Sequence, residues 1–490
     1  MAPSIGQRLG FWLGLLVGLF VLLFADQLPA PPELKPASLR VLGISFTVVA
    51  WWVSEAVPLA ATALLPAAAF PLLGIVSAKD IAPSYASPFV LLLLGGFFLA
   101  LAVEETGAHR RLALHILLRV GTSPRRLVLG FTAAATLVSM WISNAATALI
   151  LMPIALALVE RAEAKDAQRA RPFAIAIILA VAYGASIGGI GTPVGTAPNL
   201  IALGALQAHF PGGPHVGFLD WTSLGVPIAL MVAPLAWAVL VFLHPRVPAN
   251  LSLGAAAVIQ DEIHALGRWR SSEKRAIALF ALAALLWISR EDLVLGPGST
   301  VTGWSSALGL GLLPDDGTIA LLLAVAAFAL PNGEGGRVLT WEIAARAPWD
   351  LVVLFGGGIA LAVGFDKTGI SGWLGTLIAG LSGASTFSLV TLSVLFTIFA
   401  TELISNTALA NILMPVLAAA AKHLGADPRV LLIPTAMACS YGFMMPAGTG
   451  PNAIAFGTGR MRMRDMVKAG FYVNLAGWIV LAAVSLIRFG

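Results

Sequence analysis

The chain has 490 residues, 58% of them hydrophobic and only 11% charged, with a net charge of +5. A soluble domain carries about 25% charged residues, so a soluble enzyme or a nucleic-acid-binding protein is excluded and the excess positive charge has to be explained by membrane topology. Cys439 is the only cysteine, which excludes an internal disulfide.

Apolar runs of membrane-spanning length recur from end to end. In chain order they place eleven spans near 11–26, 41–56, 58–75, 88–103, 172–206, 222–243, 275–290, 318–331, 349–365, 430–458 and 468–488. The run from Phe11 to Ala25 follows Arg8 like a signal peptide, but no small-x-small cleavage site follows it, and it reads as the first span. With the N-terminus in the cytoplasm, the inner loops are 104–126, 160–171, 244–274, 332–348 and 459–468. These loops hold most of the 29 Lys and Arg residues, as the positive-inside rule requires. The outer loop 291–317 carries Glu291, Asp292, Asp315 and Asp316 and no basic residue. The C-terminus then lies outside, and the expected location is a bacterial inner membrane.

Two apolar segments stand outside this count. Residues 127–159 lie between Arg110, Arg111, Arg119, Arg125 and Arg126 on one side and Arg161, Lys165, Arg169 and Arg171 on the other. A single crossing would place one cluster outside, whereas a re-entrant hairpin keeps both within. Residues 387–421 read as a second hairpin, entered from the opposite face. Non-helical backbone at membrane depth persists only where protein or a water-filled cavity surrounds it, so both tips are expected to be buried for a polar purpose.

The hairpins contain nearly the same string, "MWISNAATALILMP" from Met140 and "ELISNTALANILMP" from Glu402. Each is preceded by a related span end, "LALAVEETG" and "IALAVGFDKTG". Each is followed by a broken span, "YGASIGGIGTPVGTAPNLIALG" from Tyr183 and "YGFMMPAGTGPNAIAFG" from Tyr441. Clustered Gly and Pro unwind a helix at mid-span. The two units start on opposite faces, so they form an inverted repeat, the mark of a secondary transporter.

Two tips and two broken spans would gather Ser143, Asn144, Thr147, Thr196, Asn199, Ser405, Asn406, Thr407, Thr449 and Asn452. Hydroxyl and amide oxygens with freed carbonyls suit sodium, and the same donors with helix N-termini suit an anion. No Lys, Arg or His lies within these elements as drawn. Glu55 and Glu402 are the ionisable residues placed most clearly inside apolar segments, where either function or an interhelical hydrogen bond would retain them. The seven histidines fall in loops or at span ends and form no His-Glu-x-x-His, which argues against an intramembrane hydrolase. Polar residues at one depth rather than along a pore argue against an anion channel.

Together these strings resemble the divalent anion–sodium symporter family, which includes sodium-coupled dicarboxylate and citrate carriers. The resemblance runs from "WWVSEAVPLAATALLPAAAFPLLGI" at Trp51 to "GPNAIAFGTG" at Gly450. It implies an all-α polytopic fold of eleven spans plus two hairpins, a homodimer, and an elevator-type movement of transport elements against a scaffold. Scaffold would comprise mainly 1–126 and 223–386. Transport elements would be 127–222, with the cytoplasmic-side hairpin 127–159 and broken span 172–206, and 387–490, with the outer-side hairpin 387–421, broken span 430–458 and the last span. The resemblance assigns one sodium site to Ser139, Ser143, Asn144 and the Gly195 backbone, and a second to Thr401, Asn406 and the Gly448 backbone. It assigns substrate carboxylates to Ser143, Asn144, Ala145, Thr196, Ser405, Asn406, Thr407 and Thr449. Ala145 stands where the family usually has threonine, and Ala197 and Gly450 stand where it commonly has proline, which bears on the identity of the anion. The implied function is sodium-coupled symport of a di- or tricarboxylate of the succinate, malate, fumarate or citrate class. A sodium-independent dicarboxylate exchanger and a sulfate-type divalent anion symporter are the alternatives.

Overall fold

The computed structural model describes all residues except 1–3, 30, 32–33, 35, 211, 250–254, 297–298, 312, 380–384 and 490. Among the described residues, eight helices are long and apolar enough to cross a membrane, from Ile5–Phe24 to Met463–Phe489. Shorter apolar helices at Leu59–Leu72, Asp316–Ala329, Phe387–Ala400 and Pro428–Ala438 complete the bundle. The protein is therefore an all-helical polytopic membrane protein. Paired strands among the described residues are confined to a ribbon, Leu293–Gly296 with Ser299–Val301, in a loop expected outside the membrane.

Helix Ile5–Phe24 packs on Pro36–Ser54 through a seam of small residues. A side chain at Gly14 or Gly18 would overlap Trp51 or Thr47, and Thr47 Oγ1 donates to the Gly14 carbonyl at 2.9 Å. Without a hydrophobic force between helices in lipid, such close backbone approach is what holds a pair together.

The stretch Asn144–Gly189 is continuous in helical hydrogen bonding but contains one residue, Asp166, with extended backbone at φ −161° and ψ 96°. Asn144 and Gly189 are neighbours, since a side chain at Gly189 would overlap the Asn144 amide. The chain therefore reverses at Asp166, whose carboxylate caps the next helix by accepting from Arg169 N at 3.1 Å. Helix Pro124–Ser139 runs alongside the second limb, with Thr132 against Gly184 and Thr136 against Gly188. Residues 124 and 165 consequently lie at the same end of the bundle. The second polar string sits likewise in a pair, Thr386–Ala400 and Asn406–Leu424, joined at 401–405.

Ion pairs tie the five expected inner loops into one face. Arg110 pairs with Glu262, Arg111 with Glu273, Arg161 with Asp261, Arg171 with Asp465, Arg460 with Glu163, and Arg346 with Glu105. The opposite face carries Arg290 between Glu291 and Asp316. There His215 lies 3.5 Å from Glu291. The Glu291 carboxylate raises the His215 pKa above its ordinary 6.5, and His215 holds Glu291 below its ordinary 4.5. The pair's stabilisation is fully present below the ordinary histidine value and is lost as pH rises through the raised one. At the acid end it is present above the ordinary carboxylate value and is lost as pH falls through the lowered one. His215→Gln should therefore flatten the decline in melting temperature on going from about pH 6 to pH 8, with little change in transport; an unchanged pH profile would show that the pair contributes nothing.

Candidate functional site

Each hairpin tip ends a helix, crosses a few residues of irregular backbone and begins another helix at the Ser-Asn pair. Asn144 and Asn406 are first helical residues, with Ser143 and Ser405 at the caps. Ser143 Oγ accepts from Ala146 N at 3.3 Å. The broken spans do the same. Helix Ala197–His209 starts after Thr196, and Gly450–Gly457 starts after Thr449, each following an unwound stretch.

At the first tip, Ser139 Oγ donates to Asn144 Oδ1 at 2.8 Å. A side chain at Gly195 would overlap the Gly189 carbonyl and approach that of Met140. Only glycine allows these oxygens to close in on one another. Thr192 Oγ1 donates to the Met140 carbonyl, and Asn199 Nδ2 donates to the carbonyls of Gly189 at 2.9 Å and Thr192 at 2.8 Å. Each carbonyl keeps a second lone pair.

The second tip repeats the arrangement in register. Thr401 Oγ1 lies 2.7 Å from both Asn406 Oδ1 and the Cys439 carbonyl. One hydroxyl proton satisfies one of those oxygens, and a cation among the three satisfies all of them. Asn452 Nδ2 donates to the carbonyls of Gly442 at 2.7 Å and Met445 at 3.0 Å. The clamping asparagine thus follows its two carbonyls by ten and seven residues in both halves. Both asparagines are fully buried.

The two clusters meet through residues 448–450. A Cβ at Gly450 would lie 3.4 Å from that of Ala145, and one at Gly448 would lie 3.0 Å from Glu402 Oε2. Ser186 Oγ stands 3.5 Å from Thr449 Oγ1. The starts of two of these helices are therefore in contact, with the Glu402 carboxylate beside Gly448, while Ser405 and Thr407, at the start of a third, border a cavity that also holds Asp350. Aligned peptide dipoles and free N–H groups make such termini favourable to anions.

Glu402 is buried, and its carboxylate accepts from Met444 N and Met445 N, each at 2.8 Å, and from Asn474 Nδ2 at 2.7 Å. Of the two roles open to it, the structure shows the interhelical one: it staples the unwound stretch and the last helix to the second tip. Glu402→Ala leaves three donors without an acceptor, at about 1–3 kcal/mol each. We expect a loss of several kcal/mol in detergent unfolding, with Glu402→Gln milder because it keeps one oxygen; equal stability of Glu402→Ala and the parent would contradict the staple. Glu55 departs from the sequence reading. It is exposed at the end of helix Pro36–Ser54 with φ +50°, where its carbonyl accepts from Gln7 Nε2 at 3.3 Å, and it takes no part in the clusters.

Of the expected residues, Ser139, Asn144 and Gly195 form the first cluster, and Thr401, Asn406 and Gly448 gather at the second. Ser143 is exposed beside the half-buried Asn144 and Ala145. Thr407 and Ser405 line a cavity of about 170 Å³ with Pro58, Leu59, Ala60 and Asp350. Thr147 is fully buried, and its hydroxyl has no partner among the described residues, so it stands back from that opening. Thr196 starts its helix without a side-chain cap bond. Sequence reading missed the carbonyls of Met140, Gly189, Cys439 and Gly442, because every residue carries one. The matched spacing of Gly189 to Asn199 and of Gly442 to Asn452 was the signal that would have found two of them.

Paired oxygen clusters and converging helix ends inside a helical membrane bundle define a secondary transporter. Residues 10–488 match the family model described as the sodium:sulfate symporter transmembrane region, and the chain belongs to that family. It is 35% identical over 489 residues to the sodium-dependent dicarboxylate transporter SdcS of Staphylococcus saprophyticus, covering 98% of this chain and 91% of the relative. It is 36% identical over 491 residues to SdcS of Staphylococcus aureus strain MW2, with the same coverage. Among solved structures, the YdaH transporter of Alcanivorax borkumensis matches with a TM-score of 0.59 at 16% identity, covering 99% of both chains. MtrF of Neisseria gonorrhoeae matches with a TM-score of 0.58 at 14% identity, covering 99% of this chain and 97% of that one. These two likenesses speak for the fold alone. The family and these relatives are transporters, not enzymes.

Proposed function

We propose that the chain is a sodium-coupled symporter of a small dicarboxylate of the succinate, malate or fumarate class, with citrate-sized anions as further candidates. The observation that carries this reading is the pair of oxygen clusters, built alike around Asn144 and Asn406, each at the start of a helix. Sodium at Ser139, Ser143, Asn144 and Gly195, and at Thr401, Asn406 and Gly448, would supply positive charge that the lining lacks. The anion would meet Ser143, Asn144, Ala145, Thr196, Ser405, Asn406, Thr407 and Thr449. Bound cations and dipoles rather than fixed cations then make affinity depend on sodium. The names of the SdcS relatives support both the ion and the substrate class. Competition by succinate, malate, fumarate, citrate and sulfate against labelled succinate in proteoliposomes tests the substrate. C4 dicarboxylates should compete best, and sulfate as the best competitor would overturn the assignment.

The matched clamps support an inverted repeat, which we assign within a topology of eleven spans and two re-entrant hairpins. Elevator movement of 127–222 and 387–490 against the remaining elements, in a homodimer, is the mechanism this arrangement suits. The charged face bearing the five loops would be cytoplasmic, with the N-terminus inside and the C-terminus outside. On that orientation the cavity beside Thr407 opens toward the cytoplasm, because residues 58–60 and Asp350 sit at that end of their helices. Cysteines placed at the exposed positions Thr122 and Gln168 of a variant lacking Cys439 should both label from the cytoplasmic side. Labelling from opposite sides would remove the first hairpin.

A further inference from the structure

The largest cavity among those described abuts the first hairpin tip, lined there by Leu137, Val138, Trp141 and Ile142, beside the first oxygen cluster. It holds about 380 Å³, within the range of sites that take small molecules, about 300–1,000 Å³. One wall is the first hairpin, through Leu137 and Trp141. The facing wall is helix Ser271–Ile288, through Ile277, Phe280 and Ala284. From Ile277 to Ala284 the helix rises about 10 Å, so the cleft is a slot rather than a dimple. Its lining is almost wholly apolar apart from His109, His115 and Arg119 of helix Ala108–Val120.

That helix lies in the charged face. Arg110 and Arg111 have carboxylate partners there, whereas Arg119 is exposed and has no ion pair or hydrogen bond among the described residues. His115 Nδ1 lies 2.7 Å from the Arg111 carbonyl. With Nδ1 donating along that contact, Nε2 is the ring atom left to meet a ligand, as an acceptor in the neutral ring. The slot thus offers a cation and an acceptor at the membrane boundary, with apolar depth beyond them.

We infer that this cleft is a binding site for an anionic phospholipid whose headgroup carries hydroxyls, such as phosphatidylglycerol. Arg119 holds the phosphate, His115 Nε2 accepts from a headgroup hydroxyl, and one acyl chain lies between Phe280 and the hairpin. Charge complementarity at the mouth selects an anionic lipid over a zwitterionic one, and the apolar depth selects a lipid over free phosphate. Binding needs nothing from the function proposed above. Its consequence does rest on that reading: the hairpin belongs to the transport elements and helix Ser271–Ile288 to the scaffold, so a chain wedged between them ties transport rate to lipid composition.

The test uses full-length protein in nanodiscs of phosphatidylcholine with an equal share of phosphatidylglycerol, released into mild detergent and weighed intact. The parent should retain phosphatidylglycerol at least tenfold over phosphatidylcholine. Arg119→Gln, which changes an exposed side chain, and Ala284→Trp, which fills the slot, should each abolish that preference, while the exposed Arg462→Gln should keep it. Retention by Arg119→Gln and Ala284→Trp equal to the parent's, or a retained species that is a fatty acid without a phosphate headgroup, overturns the site. A second readout compares succinate uptake with and without phosphatidylglycerol. If lipid retention follows the variants but uptake ignores the lipid, the site stands and the wedge between moving parts falls.

Discussion

Asn406→Ala raises the half-saturating sodium concentration for uptake by about tenfold to a hundredfold, or abolishes uptake at attainable sodium. An interaction of a polar group with a charge is worth roughly 1.5–3 kcal/mol, and Asn406 Oδ1 is one of three oxygens drawn together at the second tip. Asn144→Ala has the same effect at the first tip, where its Oδ1 faces Ser139 Oγ. Two controls separate lost coordination from lost folding. Asn406→Asp keeps an oxygen in place and should bind sodium far better than Asn406→Ala. Ser143→Ala removes an exposed cap oxygen and should cost less than Asn144→Ala. If Asn406→Ala transports with the parent's sodium dependence, the second cluster is structural and a sodium-independent exchanger becomes the better reading.

Thr407→Ala damages substrate affinity far more than Thr147→Ala, and Ala145→Thr tightens short dicarboxylates at the expense of bulky ones. Thr407 is half-buried at the edge of a cavity and can donate to a carboxylate. Thr147 is wholly buried behind its tip. Ala145, the counterpart of Thr407, has no hydroxyl, and it faces Gly450, which has no side chain at all. Two of the three positions where the chain carries unusually small residues, 145 and 450, therefore border one space. A hydroxyl restored at 145 adds one charge-assisted bond, about tenfold to a hundredfold in affinity, and narrows that space. Competition curves for succinate and citrate on Ala145→Thr decide the matter. Unchanged relative affinities would mean that residue 145 does not face the anion.

Much of the architecture was legible because charge and periodicity are statements about solvent. Arg clusters on both flanks of 127–159 required a chain reversal, and the reversal is there, between helix Pro124–Ser139 and the limb ending at Asp166. The loops assigned to one side by basic residues are the loops that ion pairs join. The Ser-Asn strings do stand at helix starts on irregular tips. What stayed hidden was backbone geometry. The carbonyls of Met140 and Cys439 point into the clusters because of local unwinding, and no residue type encodes that. The outer wall of the Thr407 cavity comes from Pro58, Leu59, Ala60 and Asp350, brought there by packing between segments far apart in sequence. A carboxylate in an apolar run is costly, which left Glu402 open to function or to an interhelical hydrogen bond; its cost is offset by two backbone amides and Asn474, which only the folded chain assembles.

The central claim is that two oxygen clusters couple sodium to the anion, and concentrative uptake tests it most directly. Purified protein in liposomes loaded with sodium-free buffer is given labelled succinate outside, with either a sodium or a potassium gradient directed inward. Succinate should accumulate above its external concentration only with sodium, without any internal carboxylate, and the accumulation should collapse in Asn144→Ala and Asn406→Ala. Accumulation that is indifferent to sodium and appears only when the liposomes are preloaded with unlabelled dicarboxylate would contradict the account.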